Sequence, residues 1–226
     1  MTVATGEDMD HPHGSGPGSP IGAVPAEIHR PGLGALLRPP HRADARRNYE
    51  ALLAAAAAVF GADGPQASLD KIARTAGVGN ATLYRHFPTR RDLLVGVCVE
   101  EVEALCAQGE QLAVDQAPGP ALLGWLHAFI EHVTSRKGLA EALMTGRSED
   151  SAVIAACQGA IGETAAALLA AAQRAGTVRD DLEVADLLAL VNAIALTTES
   201  TGAQHADRLL RLLYQGIGPR GAQALS

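Results

Sequence analysis

Three consecutive residues, Asn80, Ala81 and Thr82, carry side chains suited to reading the edge of a base pair. An asparagine amide matches the donor and acceptor pattern of adenine, and an alanine methyl fits against the methyl of thymine. A threonine hydroxyl reaches a base edge or a phosphate oxygen. These groups act together only if they project from a rod slim enough to enter a groove of the duplex. The surrounding sequence must build that rod and face it outward.

Residues 68–94 have the pattern to do this. Leu69, Ile72 and Ala73 fall on one face of a short first helix, and Ala76 extends that face. Gly77 supplies the left-handed backbone that ends the helix. Val78 then enters the angle between this helix and the next. Leu83 and Phe87 mark the inner face of the second helix, and Pro88 ends it. Two helices joined by a three- or four-residue glycine turn predict a unit whose second helix lies in the major groove. A preceding helix is predicted over 43–62, with Tyr49, Leu52, Leu53, Ala56, Val59 and Phe60 at helical spacing. Arg46 and Arg47 oppose the dipole at its start, an arrangement that suits a nearby phosphate. Ser68 is placed to cap the next helix. Thr89 and Asp92 are placed as a near capping box for a fourth helix running toward Val114.

The whole chain of 226 residues is acidic, with a net charge of −7. The charge is unevenly placed. Residues 42–94 hold eight Arg and Lys against five acids, whereas residues 95–226 hold eight against sixteen. A basic module on an acidic body is the polarity a DNA binder needs. The composition is 47% apolar, alanine-rich and only 3% aromatic. It favours thin helices packed through Ala and Leu over a β-sandwich. No apolar run reaches the roughly 18 residues of a membrane span. The N-terminus lacks a basic start followed by an apolar core. A cytoplasmic protein without a membrane partner is therefore expected.

Residues 1–41 contain seven Gly and seven Pro in the first forty and no apolar period. A disordered tail is expected there, with Arg38 and Arg42 either a solvated linker or an arm for the minor groove. Beyond the fourth helix, Ala117-Pro118-Gly119-Pro120 predicts a break. Helices are then expected over 121–135, 137–145, 149–175, 182–199 and 204–215, with Gly146 and Gly176 as stops. The 182–199 helix is apolar almost all round, which suits a helix with the body's core on one side and a partner on the other. A fully buried central helix would give the same pattern.

Enzyme chemistry finds no support. There is no metal-ligand spacing, nucleophile–base pair or phosphate-binding glycine loop. No catalytic residue, metal or cofactor is expected. His127 and His132 stand five residues apart, a poor chelating interval on a helix. Glu100, Glu101 and Glu103 form a solvated cluster. Cys98, Cys106 and Cys157 are odd in number and include no Cys-x-x-Cys pair, so buried small hydrophobes are expected. A redox or metal role is the alternative.

Ile72 to Val78, Thr82 to Phe87 and Asp92 to Leu94 together resemble the N-terminal signature of the TetR family of bacterial transcriptional regulators. The resemblance covers about fifty residues. Where the family usually has a capping serine this chain has Gly79, so either Gly79 or Asn80 caps the recognition helix. The Arg179-Asp180-Asp181 loop resembles a body type found in actinobacterial members. The resemblance implies an all-α fold of about nine helices. It would comprise a three-helix DNA-binding domain over 42–94 and a helical ligand-binding and dimerisation domain over 95–226. Tyr84 and His86 resemble the family's phosphate contacts, with Ser68 and Arg90 as further candidates. Leu83 and Phe87 are core, while Arg74 and Arg85 form a solvated face.

The implied function is a repressor that binds near-palindromic operator DNA as a homodimer and is released by a small-molecule effector. The dimer would form through the last two helices. The effector pocket would lie inside the body, with Trp125, Phe129, His132, Met144, Asn192 and Thr197 as candidate lining. A ligand-independent regulator or an activator of the same fold is the alternative.

Overall fold

A computed structural model describes residues 33, 37, 39–144 and 148–219, with side chains described except at 136–144, 148–151, 198–201 and 203. The tail expected over 1–41, Arg38 included, lies almost wholly outside the described residues. The fold is all-α. Among the described residues it contains eight helices and no strand: α1 (Ala43–Asp63), α2 (Leu69–Thr75), α3 (Asn80–His86), α4 (Arg90–Asp115), α5 (Pro118–Met144), α6 (Ser148–Arg174), α7 (Val184–Thr201) and α8 (Ala203–Gly216).

Three apolar clusters share α4 as a spine. Toward its start, Leu93, Leu94 and Val97 join Leu52, Leu53, Phe60, Ile72, Leu83 and Phe87 in a core built mainly from α1–α4. Farther along, Leu105 joins Trp125, Leu126, Leu168, Leu169, Leu187, Val191 and Leu210 in the core of the body. Between them, Val99, Val102 and Cys106 pack with Leu33, Val153, Cys157 and Ala160. One rigid helix thus runs from the first core to the second.

Two stops are the Schellman turns that their glycines predict. Gly77 has φ 70°, Gly77 N–H donates to Arg74 O and Val78 N–H to Ala73 O. Gly176 has φ 66°, Gly176 N–H donates to Gln173 O and Thr177 N–H to Ala172 O. In each, the otherwise unpaired carbonyls of the last turn gain partners.

Over the described residues, the expected break and two helices are replaced by a single helix, α5, while the expected stop at Gly146 lies outside the described residues. Pro118 and Pro120 fall in its first turn, where a backbone N–H has no partner to lose. Ala121 N–H already bonds to Ala117 O at 2.9 Å. The helix continues through the polar run near 135, where the hydroxyls fold back onto carbonyls of the preceding turn. Thr134 Oγ1 donates to Ile130 O at 2.9 Å and Ser135 Oγ to Glu131 O at 2.7 Å.

Within α6, Ala152–Arg174 is long and apolar enough to cross a membrane, with mean hydropathy 1.5, contrary to the expectation that no segment qualifies. Its value rests on many alanines, and Ala165, Leu168, Leu169 and Ala172 are buried in the body core.

Candidate nucleic-acid interface

α3 carries seven residues, about 10 Å of helix. Leu83 and Phe87 are buried, and Asn80, Ala81, Tyr84 and Arg85 are exposed. Thr82 and His86 are half-buried at the margins. Tyr84 stands 49% exposed, too open for a packing residue. The apolar face therefore fixes which way the polar face points.

The first turn of α3 settles the capping alternatives. Gly79 is the cap, with φ −76° and ψ 153° and no side-chain bond, and Thr82 N–H donates to its carbonyl at 2.9 Å. Asn80 is thereby freed for another bond. Its Nδ2 donates to Asp70 Oδ1 of α2 at 2.7 Å. One amide hydrogen is engaged, which leaves the second hydrogen and Oδ1, the pair that adenine requires. Asp70 was not singled out from the sequence. The only signal was an acid in the first turn of α2, where the helix dipole alone accounts for it.

Ser68 caps α2, accepting from Lys71 N–H at 3.4 Å, and remains exposed. Arg90 is turned toward the α1–α2 loop. Its Nη1 donates to Pro65 O at 3.1 Å and also to Ala67 O. Its remaining N–H groups are the ones left for a phosphate. Spacing alone could not show this, because the acceptors lie more than twenty residues upstream.

Thr89 and Asp92 form the full capping box of α4. Thr89 N–H donates to Asp92 Oδ2 at 2.9 Å, and Asp92 N–H donates to Thr89 Oγ1 at 3.1 Å. At the N-terminal end of α1, Arg46 pairs with Glu50 at 3.8 Å and Arg47 with Asp44, both on the surface. Such exposed pairs hold a side chain weakly and yield readily to a phosphate.

His86 sits against the buried Tyr49, with ring centroids 6.0 Å apart and nearly perpendicular, and Tyr49 stacks on Phe87 at 4.9 Å. Tyr49 thus supports the C-terminal end of α3 from beneath. The Nε2 of His86 is buried and has no hydrogen-bond partner. Burial, and then the neighbouring Arg85, holds the imidazole below its ordinary pKa. In this orientation Nε2 faces inward, so a bond from it to a phosphate would require the ring to turn.

Five of the six candidate effector residues have described side chains, and these five are not gathered in one place. Trp125 and Phe129 meet in the body core, rings stacked 5.6 Å apart, and Trp125 Nε1 donates to Leu105 O at 3.1 Å. His132 is half-buried on the same helix. Asn192 and Thr197 lie on the exposed side of α7, away from Leu187, Val191 and Ala195, which are buried. Met144 ends α5, and its side chain lies outside the described ones.

The chain matches two family descriptions: bacterial regulatory proteins of the tetR family over residues 52–97, and the C-terminal domain of SbtR-like transcriptional regulators over residues 117–219. No curated protein matches it. Among solved structures it is similar to the TetR transcriptional regulator SCO0520 from Streptomyces coelicolor. That likeness has 36% identity and a TM-score of 0.69, covering 76% of this chain and 99% of the other. It is equally similar in sequence to a TetR transcription regulatory protein from Mycobacterium vanbaalenii, at 36% identity and TM-score 0.66, covering 79% and 99%. The FadR regulator from Bacillus subtilis, solved in complex with stearoyl-CoA, shares the fold at 19% identity and TM-score 0.58, covering 75% and 99%.

Proposed function

This chain belongs to the TetR family of bacterial transcriptional regulators, and we propose that within it the protein is a cytoplasmic repressor, not an enzyme, that binds a near-palindromic operator as a homodimer. The observation that carries this reading is the two-sided recognition helix. Leu83 and Phe87 anchor α3 inward while Asn80, Ala81, Tyr84 and Arg85 stand in solvent. Asn80 and Ala81, with Thr82 beside them, read base edges. Tyr84, His86, Ser68 and Arg90 bond phosphates and set the register.

One such module contacts few bases, so useful affinity needs two, placed about 34 Å apart. The support for a second copy is the outer side of α7 and α8. Leu190, Leu196 and Leu212 are 46%, 59% and 57% exposed there, in company with the exposed Ala185, Ala189 and Ala193. Helices with this much uncovered apolar surface gain by packing as a four-helix bundle with their copies.

A small-molecule effector that releases DNA would act on α4, because that helix enters both cores. It would have to favour a second position of α4 over the first. Trp125 and Phe129 belong to the wall such a ligand would meet.

The test is binding to promoter fragments flanking the protein's own gene, followed by footprinting. Tyr84→Ala is expected to weaken binding to all sequences alike with little change in the salt slope, because a neutral hydroxyl bonds a phosphate without neutralising its charge. A loss that falls on some sequences and spares others would refute that role. Failure to bind any fragment at low ionic strength would refute the reading as a whole.

A further inference from the structure

Cys98 on α4 and Cys157 on α6 bring their sulfurs to 4.0 Å. They come from turns 59 residues apart in sequence, so the approach is a product of the tertiary fold. Both are free thiols, Cys98 half-buried and Cys157 buried. A disulfide has its sulfurs about 2.05 Å apart, so about 2 Å of closure is needed. The third thiol, Cys106, is fully buried, and its Sγ donates to Ala160 O at 3.5 Å. The structure thus sets one pair of thiols in near-bonding contact and engages the remaining one elsewhere.

We propose that Cys98 and Cys157 are an oxidisable dithiol, converted by hydroperoxides to an intramolecular disulfide that ties α4 to α6 and lowers DNA affinity. Cys98 is the more accessible thiol and the one that reacts first. The hydrogen bond from Cys157 pulls its pKa below the ordinary thiol value, against the opposing effects of burial and of Glu101 one turn away. The same interaction and burial push the Cys157 thiol up, so it keeps its proton.

The Cys98 thiolate attacks one oxygen of the hydroperoxide. The O–O bond breaks, an S–O bond forms, and the departing alkoxide or hydroxide takes a proton, giving a sulfenic acid. The Cys157 sulfur then attacks that sulfenic sulfur. The S–S bond forms, the S–O bond breaks, and the hydroxyl leaves as water with the Cys157 proton. The two thiols are oxidised by two electrons and the peroxide is reduced by two.

The consequence for DNA rests on the function proposed above. Residue 98 lies one residue beyond Val97, which is locked into the core behind α3. Drawing α4 toward α6 at this point therefore displaces the recognition helix, whose separation from its copy must match one turn of the duplex.

The test treats the full-length protein with hydrogen peroxide and reads two signals. Peptide mass mapping is expected to show a Cys98–Cys157 crosslink that is reversed by dithiothreitol, lost in Cys98→Ser and Cys157→Ser, and kept in Cys106→Ser. Fluorescence anisotropy on a promoter fragment is expected to show on the order of tenfold weaker binding after oxidation, restored by dithiothreitol and absent in Cys98→Ser. No crosslink, or a crosslink through Cys106, overturns the dithiol. A crosslink with unchanged or tighter binding overturns its regulatory effect. If the reduced protein binds no fragment, the DNA-binding reading fails and takes the regulatory effect with it, while the mass map still decides the dithiol.

Discussion

α4 is one helix in two surroundings, and a glycine marks each of them. Near its start, a Cβ added to Gly96 would lie 2.8 Å from Leu53 Cδ2 and 3.2 Å from Phe87 Cε1. Near its end, a Cβ added to Gly109 would lie 2.7 Å from Thr164 Cγ2, 2.8 Å from Trp125 Cδ1 and 3.0 Å from Trp125 Nε1. The distances are alike, but the neighbours differ. Leu53 offers the end of a side chain that can turn. Trp125 offers the Cδ1 and Nε1 atoms of an indole that is bonded to Leu105 O and stacked on Phe129. The body closes on α4 with a bonded and stacked indole, whereas at the module end the tip of Leu53 comes nearest, ahead of the Phe87 ring.

The largest effect should come from removing the indole. Trp125 is fully buried, and Trp125→Ala removes both its packing and its bond to α4. A loss of about 3–5 kcal/mol of unfolding free energy is expected, read by urea titration followed by circular dichroism. A loss below about 1 kcal/mol would mean that neither the body core nor its hold on α4 depends on this ring. Trp125 is the sole tryptophan, so in the unaltered protein its fluorescence reports on the body alone.

A matched pair of substitutions then tests the comparison itself. Alanine is favoured over glycine within a helix by about 1 kcal/mol. Overpacking a well-filled site costs about 1–3 kcal/mol. For Gly109→Ala the clash with the bonded indole should dominate, for a net destabilisation of up to about 2 kcal/mol. For Gly96→Ala the movable Leu53 end should let the propensity gain offset most of the clash, leaving the change within about 1 kcal/mol. Equal costs at the two sites, measured side by side in urea, would erase the distinction between the two ends of α4.

The same contrast governs what could be read from the sequence. The module is built from signals that are local. Gly77 ends α2 because its φ must be positive, Ser68 and Thr89 cap the helices they precede, and Leu83 and Phe87 orient α3. Each of these lies within a few residues of what it controls. The body is alanine-rich, and alanine at every third or fourth position suits any helix face. Pro118 and Pro120 read as a break because their tolerance in a first helical turn depends on where that turn begins. Asn192 and Thr197 read as pocket candidates because polarity within an apolar helix does not say which side faces inward. The bonds that hold two of the candidate interface residues, Asn80 to Asp70 and Arg90 to Pro65, join segments distant in sequence, and pattern alone contains no record of them.

The smallest effect concerns the margin of the module. His86 has its pKa lowered from 6.5, first by burial and then by Arg85, so the folded state prefers the neutral ring. That preference is fully present above the unfolded pKa near 6.5. It is lost as pH falls below that value toward the folded pKa, where the ring must take up a proton at a cost. The urea midpoint should therefore decline slightly more from pH 7 to pH 5 in the unaltered protein than in His86→Gln, with thermal and urea data taken at matched ionic strength. Bound DNA should reverse the sign. If the ring turns outward to meet a phosphate, the phosphate favours its protonated form, so binding should take up a proton and tighten as pH falls through this range. Operator affinity that shows the same pH dependence in His86→Gln as in the unaltered protein would remove His86 from the phosphate contacts. It would leave the ring as packing over Tyr49, which would place it with the buried face of the module and not with its DNA face.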